Sequence, residues 1–313
     1  FSDVSYKSFV KSESEIITLF YDKFADIPLL SRMDAVAETF IDEIETLLNR
    51  DLPEEERIPL IEKFRKMYET MDFYVLYNRF LKKEGYQTLP RRPLEKRKLR
   101  YEDVYPVLYL KYRLSRQAER SNIKHLVIDE MQDYSRLQYL IIRRMFSCKM
   151  TILGDRAQTM ADQQQDVLQF LPGIFGKDLR RIEMRKSYRN TVEIASYAAN
   201  LIGVTDLELF ERHGMPVLER DVTDLEAALR EAVDTLFPEE KTYETAAVIV
   251  PDEKTAERAY LILREILAEK DFDCEKRLSW LNRDSSSFKK GLTVTTFYLA
   301  KGLEFDQVFS IFP

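Results

Sequence analysis

The stretch HLVIDEMQD, from His125 to Asp133, decides the fold class of this chain. Its apolar residues run directly into two acids, which is typical of a buried strand in a parallel sheet. A second stretch of this kind, KMTILGD, runs from Lys149 to Asp155, and the segment between them, Ser135 to Phe146, has helical periodicity. Strands that alternate with helices in this way predict an α/β fold whose parallel strands are joined by right-handed crossovers.

The same alternation continues towards the C-terminus, whereas the beginning of the chain differs. Further strands are expected at 180–190, 246–250, 292–297 and 308–312, and further helices at 192–201 and 255–269. The first 115 residues are predicted to be helical throughout. Their expected helices are Ala35–Asn49, a stretch from about Leu60 to Lys83, and the aromatic Tyr101–Leu114, which we expect to lie in the core.

Length and composition describe an ordinary globular chain. The 313 residues correspond to about two domains, and 45% of them are hydrophobic. A net charge of −6 argues against a uniformly basic nucleic-acid coat, although a local basic stripe remains possible. No apolar run approaches the ~18 residues of a membrane helix, and two cysteines cannot form a disulfide framework, so we expect a cytoplasmic protein. Two histidines and two cysteines are also too few ligands for a zinc site.

The glycine positions exclude two phosphate-binding motifs from these residues. A P-loop requires two glycines five positions apart, and the GxGxxG fingerprint requires two glycines two positions apart. None of the eight glycines in the sequence has either spacing. The chain therefore lacks a glycine-rich loop that could hold the β- and γ-phosphates of a nucleotide.

A basic segment lies between the helical region and the first strand. Six of the ten residues from Arg91 to Arg100 are arginine or lysine. The segment is either a solvated linker interrupted by proline, or a surface that contacts nucleic-acid phosphates or another protein. The sequence leaves these alternatives open.

Polar clusters follow three of the expected strands, where function gathers in open α/β sheets. They are Asp129–Asp133, Gly154–Gln158 and Ser187–Arg189. Consecutive aspartate and glutamate after a strand have a known use in phosphoryl transfer, in which the first holds Mg²⁺ and the second accepts a proton from the attacking water.

Four stretches resemble, in order, motifs II, III, IV and V of UvrD/Rep-type superfamily 1 helicases. They are VIDEMQDY at 127–134, TILGDRAQ at 151–158, RKSYRNT at 185–191 and VTTFYLAKGLEFDQVF at 294–309. The resemblance implies partial RecA-like lobes, with P-loop NTPase-like parallel sheets, behind an N-terminal all-helical region. It implies a helical region at 1–115, the C-terminal half of lobe 1A at 116–186, and lobe 2A at 187–313.

The resemblance also implies roles for the residues of the first lobe. Asp129 would bind Mg²⁺, Glu130 would be the general base for ATP hydrolysis, and Gln158 would sense the γ-phosphate. Gln132 and Asp133 would connect the motifs rather than perform chemistry. ATP and Mg²⁺ are therefore the expected cofactors.

In the second lobe, the resemblance places residues around the adenosine and the γ-phosphate. Tyr188 would stack on the adenine, and Arg189 would reach the γ-phosphate as an arginine finger. Glu304 would bond the ribose, while Lys301 and Gly302 would shape the motif V loop.

The departures from the family pattern bear on activity and partner. Motifs I and VI are missing, so we expect a fragment of a longer ATPase that is inactive by itself. The stretch Thr159–Gln163 lacks the aromatic residues with which DNA-translocating relatives stack on bases, and Tyr298 stands where relatives usually carry histidine. These departures and the helical lead-in are closest to the HelD (helicase IV-like) branch, whose members are associated with RNA polymerase.

Three functions remain open at this stage. The first is a DNA helicase motor that acts on single-stranded or duplex DNA. The second is an ATPase that remodels RNA polymerase without true unwinding and docks through its helical region. The third is an interaction module that has kept the fold and lost the enzyme.

Overall fold

The computed structural model describes residues 1–116, 122–155, 158, 166–204, 208–236, 243–270, 273–285 and 290–312. The chain divides into two compact units, residues 1–182 and 183–313, and each is described by itself. Both mix helices with short parallel sheets, in agreement with the predicted α/β class. The described part of the chain has no helix that is long and apolar enough to cross a membrane.

The first unit is mainly helical, with two pairs of strands. Its helices are α1 Glu13–Thr18, α2 Arg32–Leu48, α3 Glu54–Arg65, α4 Phe73–Lys83, α5 Tyr101–Leu114, α6 Arg136–Met145 and α7 Val167–Phe175. Its strands are β1 Val4–Tyr6, β2 Phe9–Lys11, β3 His125–Ile128 and β4 Lys149–Ile152.

Helix α2 organises the N-terminal core. Its residues at three- and four-residue spacing, such as Phe40, Ile41 and Ile44, are buried and pack in one cluster with Leu60 and Phe64 of α3. A continuous apolar stripe of this kind stabilises a helix mainly through packing. The helix predicted at 35–49 is thus confirmed, with an earlier start.

Two expectations for the helical region are wrong. Strands β1 and β2 form an antiparallel hairpin in which Tyr6 is opposite Phe9, and Lys7 takes a left-handed conformation with φ of 52° in the two-residue turn. The helix expected from 60 to 83 is interrupted at 66–72. A new helix, α4, begins after Asp72, whose side chain caps it by accepting a hydrogen bond from the backbone N–H of Tyr74.

Helix α5 has the predicted bounds but not the predicted burial. Its only buried residue is Asp103, and the ring of Tyr101 is 78% exposed. Val107 and Leu110 are partly buried against the small cluster that Tyr77 forms on α4. The expectation that this aromatic helix lies in the core is therefore wrong for most of its length.

The second unit is built on a four-stranded parallel sheet. The strand order is β10-β7-β9-β8, where β7 is Thr245–Val250, β8 Leu278–Trp280, β9 Gly291–Thr296 and β10 Gln307–Ser310. A shorter parallel pair joins β5 Lys186–Ser187 to β6 Glu208–Leu209. The helices are α8 Val192–Ile202, α9 Leu225–Leu236, α10 Glu253–Ala268, α11 Cys274–Arg277 and α12 Phe297–Ala300.

The strands predicted at 246–250, 292–297 and 308–312 correspond to β7, β9 and β10. The long strand expected at 180–190 is wrong, since only Lys186 and Ser187 pair with another strand. Ile182 and Met184 are 75% and 88% exposed, so these two apolar side chains cover no sheet face. The proposed lobe boundaries stay a prediction.

Candidate active site

The parallel pair β3–β4 brings two predicted motifs to one edge. Ile128 lies opposite Ile152, so the residues that follow both strands emerge side by side. The backbone ladder continues beyond the strands: Leu153 N–H donates to the carbonyl of Ile128, and Met131 N–H donates to the carbonyl of Leu153, each at 2.8 Å. The acids after β3 and the Gly154-Asp155 turn after β4 are therefore held together by backbone hydrogen bonds.

Gln132 joins the two strand ends through its side chain. Its Nε2 donates to Oε2 of Glu130 at 2.6 Å, and its Oε1 accepts a hydrogen bond from Asp155 N–H at 3.0 Å. Gln132 is only 8% exposed, so both bonds are partly shielded from water. The resemblance gave Gln132 a connecting position without naming partners, and the structure supplies both of them.

Gln158 completes a chain of contacts along the same edge. Its Nε2 donates to Oδ2 of Asp155 at 3.0 Å, and its backbone N–H donates to the carbonyl of Asp155 at 3.1 Å. Glu130, Gln132, Asp155 and Gln158 thus form a connected set that we call the strand-end network. The structure connects Glu130 to Gln158 through Gln132 and Asp155.

The backbone at this edge is close-packed and bent. Glu130 has φ of 52° and ψ of 50°, a left-handed conformation that is unfavourable for a side chain of this size, and its N–H donates to Oδ1 of Asp129 at 2.8 Å. Gly154 approaches so closely that a Cβ atom there would lie 2.5 Å from Oε1 of Gln132 and 2.6 Å from the backbone nitrogen of Met131. Only glycine fits this position without displacing its neighbours.

A single described carboxylate, that of Asp129, offers an oxygen ligand to a magnesium ion. Within the described ranges, no group of three or more histidine, cysteine or acidic side chains could hold a metal. Magnesium is usually bound through one or two carboxylates, with water and substrate phosphates completing the shell. Asp129 is exposed, and its Oδ2 accepts no hydrogen bond from the described part of the chain, so this oxygen can serve as the single protein ligand.

In the second unit, Tyr188 and Arg189 directly follow β5. The Tyr188 side chain is 60% exposed, its ring centroid is 5.8 Å from that of Phe210, and Lys186 Nζ lies 5.5 Å above it. Arg189 Nε is 2.7 Å from Oε1 of Glu304, so two residues to which the resemblance gives separate roles form an ion pair. Both side chains are more than 60% exposed, and a pair of this kind contributes at most about 1 kcal/mol.

The motif V loop follows the end of β9. Gly302 has φ of +80°, which favours glycine, and Leu303 N–H closes a turn onto the carbonyl of Ala300. Asp306 then anchors the loop, because its Oδ2 accepts hydrogen bonds from the backbone N–H and the hydroxyl of Thr245 at 2.9 and 3.0 Å. Lys301 lies in this loop, and the role of Asp306 was not predicted.

A second missed contact fixes the start of α8, just after the Tyr188-Arg189 pair. Oε1 of Glu193 is 2.9 Å from Nδ1 of His213, and Oε2 accepts the N–H of Gly214 at 2.9 Å. These hydrogen bonds lower the pKa of Glu193 to about 2, and the bond with His213 contributes most. The signal that could have revealed them is the acid in the first turn of a predicted helix, which seeks N–H donors.

Glu193→Gln is expected to remove part of the acid sensitivity of the second unit. Since the pKa of Glu193 is depressed in the folded chain, its carboxylate stabilises the fold above its ordinary value of 4.5, and this contribution is lost as pH falls towards about 2. Urea-unfolding midpoints of the native and variant chains should therefore differ at neutral pH and converge between pH 4.5 and 2. Glu257→Gln, on the exposed face of α10, serves as the control; a difference that persists at low pH would contradict the assignment.

Sequence comparison relates this geometry to a known family. The family model of the UvrD/REP helicase N-terminal domain matches residues 7–160, just under half of the chain and including both strands of the strand-end network. No curated protein matches the chain. The family match supports the resemblance to UvrD/Rep-type superfamily 1 helicases, and with it the class of helicase-like ATPases.

Proposed function

We propose that this chain contributes to a superfamily 1, UvrD/Rep-like motor that couples ATP hydrolysis to the remodelling of nucleic acid or nucleoprotein. The family match over residues 7–160 supports the class of protein. The observation that carries the proposal is the strand-end network, because it holds Glu130 and Gln158 at one edge, as a hydrolytic site requires.

In this proposal Glu130 accepts a proton from the water that attacks the γ-phosphate. The hydrogen bond from Gln132 to Oε2 fixes the orientation of the carboxylate that receives this proton. Gln158 contacts the γ-phosphate, and its bond to Asp155 transmits that contact to the end of β4. When bound at Asp129, Mg²⁺ would neutralise the charge that develops on the phosphate oxygens.

The residues of the second unit are proposed to bind parts of an ATP molecule. Tyr188 offers an exposed ring face to the adenine. Arg189 would exchange its solvent-exposed partner Glu304 for the γ-phosphate, and Glu304 would turn to the ribose. Lys301 and Gly302 would shape the loop that carries Glu304. Because the Arg189–Glu304 ion pair is weak, a nucleotide can displace it at little cost.

The partner that the motor remodels is also part of this proposal. DNA is the partner that the helicase family suggests. A HelD-type ATPase that remodels RNA polymerase is the alternative, favoured by the lack of aromatic residues in the sequence of Thr159–Gln163, a stretch that lies outside the described residues. If no ATPase activity is found, the protein is instead an interaction module without catalysis.

Phosphate release from magnesium-ATP tests the function. The protein expressed from its complete coding sequence is expected to turn over ATP, and single-stranded DNA or RNA polymerase should stimulate it according to which is the partner. The 313-residue chain alone is expected to show no turnover, because its sequence has no P-loop to hold the β- and γ-phosphates.

Two results would contradict this prediction. Magnesium-dependent turnover by the 313-residue chain, abolished by Glu130→Gln, would show that the phosphates are held in another way. No turnover by the complete protein under any of these conditions would favour the interaction module.

A further inference from the structure

The basic segment between α4 and α5 lines a cavity. Nine residues between 87 and 100 line this open concavity of 450 Å³. Four of the nine, Arg92, Lys96, Lys98 and Arg100, are basic, and none of the nine is acidic. We call this cavity the basic pocket. In a chain with a net charge of −6, it is a local concentration of positive charge.

One wall of the basic pocket is fixed to α4. The hydroxyl of Tyr74 donates to the carbonyl of Pro90 at 2.7 Å. The side-chain amide of Asn78 exchanges two hydrogen bonds with the backbone of Leu89, at 2.7 and 3.2 Å, and Leu89 is buried. This wall is therefore an anchored turn.

Two arginines fix the other wall. Arg97 forms an ion pair with Asp72 at 2.6 Å, and its guanidinium lies 4.8 Å above the ring of Tyr74. Arg100 forms an ion pair at 2.6 Å with Asp103, whose side chain is only 3% exposed. These two arginines hold the segment in place, so their charges are already matched.

The charges of Arg92, Lys96 and Lys98 are not matched in this way. All three side chains are exposed, and none forms an ion pair with any residue in the described ranges. Three unmatched cations around one concavity attract a ligand that carries several phosphates, since each neutralised phosphate releases a counterion.

Aromatic side chains at both ends of the segment indicate which polyanion binds. Tyr86 and Tyr101 flank the lining residues in sequence and are 65% and 78% exposed. Exposed aromatic rings beside a basic surface stack on unpaired bases. The acidic side chains of a protein partner have no flat ring for such stacking. We propose that the basic pocket binds the sugar–phosphate backbone of single-stranded nucleic acid, an interaction that rests on the proposed function and adds a substrate site outside the strand-end network.

Fluorescence anisotropy with fluorescein-labelled (dT)20, in the absence of nucleotide, tests this site on the 313-residue chain. The triple variant Arg92→Ala/Lys96→Ala/Lys98→Ala is expected to bind at least tenfold more weakly. The slope of log K against log salt should become shallower by about 2, at roughly 0.7 for each phosphate that the variant no longer neutralises. Lys254→Ala/Arg258→Ala/Arg264→Ala removes the same charge from exposed positions of α10 and should bind within twofold of the native chain.

Three further outcomes decide the nature of the site. Equal weakening by the two triple variants would overturn the proposal in favour of non-specific attraction. A polyglutamate peptide that displaces (dT)20 at equal charge would overturn it in favour of an acidic protein partner. Tyr86→Ala/Tyr101→Ala should weaken binding of (dT)20 at least threefold more than binding of a duplex, and equal effects would contradict the stacking argument.

The same triple variant in the complete protein separates this inference from the proposed function. A higher DNA concentration for half-maximal stimulation of ATP turnover, with unchanged turnover in the absence of DNA, supports the site. Unchanged DNA dependence overturns this inference and leaves the proposed function intact, whereas a native complete protein without any turnover contradicts the proposed function itself.

Discussion

Glu130→Gln in the complete protein is expected to lower the turnover of magnesium-ATP at least about 100-fold, which corresponds to roughly 2.7 kcal/mol of transition-state stabilisation. Glutamine has the shape of glutamate, and its amide oxygen can still accept the hydrogen bond from Nε2 of Gln132. The strand-end network is therefore retained, while the group that accepts the proton is removed. The KM for ATP should change less than threefold, because Glu130 acts on the water and does not hold the nucleotide.

The controls for this prediction separate chemistry from folding. Glu257→Gln makes the same change on the exposed face of α10 and should leave turnover within twofold of the native value. Nucleotide binding by Glu130→Gln, measured with a fluorescent ATP analogue, should match that of the native protein. If Glu130→Gln keeps more than a tenth of the native turnover, Glu130 is not the general base.

Long regular elements were predictable because each buries an apolar face along its whole length. Strand β7, for example, has five consecutive buried residues from Ala246 to Val250, and this is visible as an uninterrupted apolar run. The N-cap of α8 was predictable as well, since the side chain of Thr191 accepts a hydrogen bond from Ile194 N–H. Periodicity and capping are local signals, so the sequence alone contains them.

Short or partner-dependent elements were not predictable. The strands of the N-terminal hairpin have three residues each, too few for an alternating pattern to be recognised. The stretch 180–190 was expected to form a strand, but a strand forms only where a neighbour supplies hydrogen bonds, and β6 offers just two residues. In the second case local propensity fails because the deciding strand partner is distant in sequence.

The candidate site also has a predictable part and an unpredictable part. The positions of Asp129 and Gln158 at one edge follow from the rule that the carboxyl ends of parallel strands meet. The bridge by Gln132 does not follow from this rule, since its two partners lie on different strand ends and its amide could have faced solvent. The pairing of Arg189 with Glu304 likewise joins residues far apart in sequence, which no local pattern encodes.

Gly154→Ala is expected to disrupt both the fold and the activity of the strand-end network. A Cβ atom at this position would lie 2.5 Å from Cγ of Met131 and from Oε1 of Gln132, and 2.6 Å from the backbone nitrogen of Met131. Because backbone cannot move as a flexible side chain does, the turn after β4 must shift away from β3. We expect a decrease of about 1–3 kcal/mol in the free energy of unfolding of the 313-residue chain, measured by urea denaturation.

The same substitution should lower the ATP turnover of the complete protein at least tenfold, since the shift breaks the hydrogen bond from Asp155 N–H to Gln132. Gly173→Ala is the matched control: Gly173 lies in α7, where a Cβ atom meets nothing within 4 Å. Alanine in a helix is favoured over glycine by about 0.5–1 kcal/mol, so this control should be neutral or slightly stabilising. If Gly154→Ala behaves like Gly173→Ala in both assays, the two strand ends are not packed against each other, and the strand-end network cannot position Glu130.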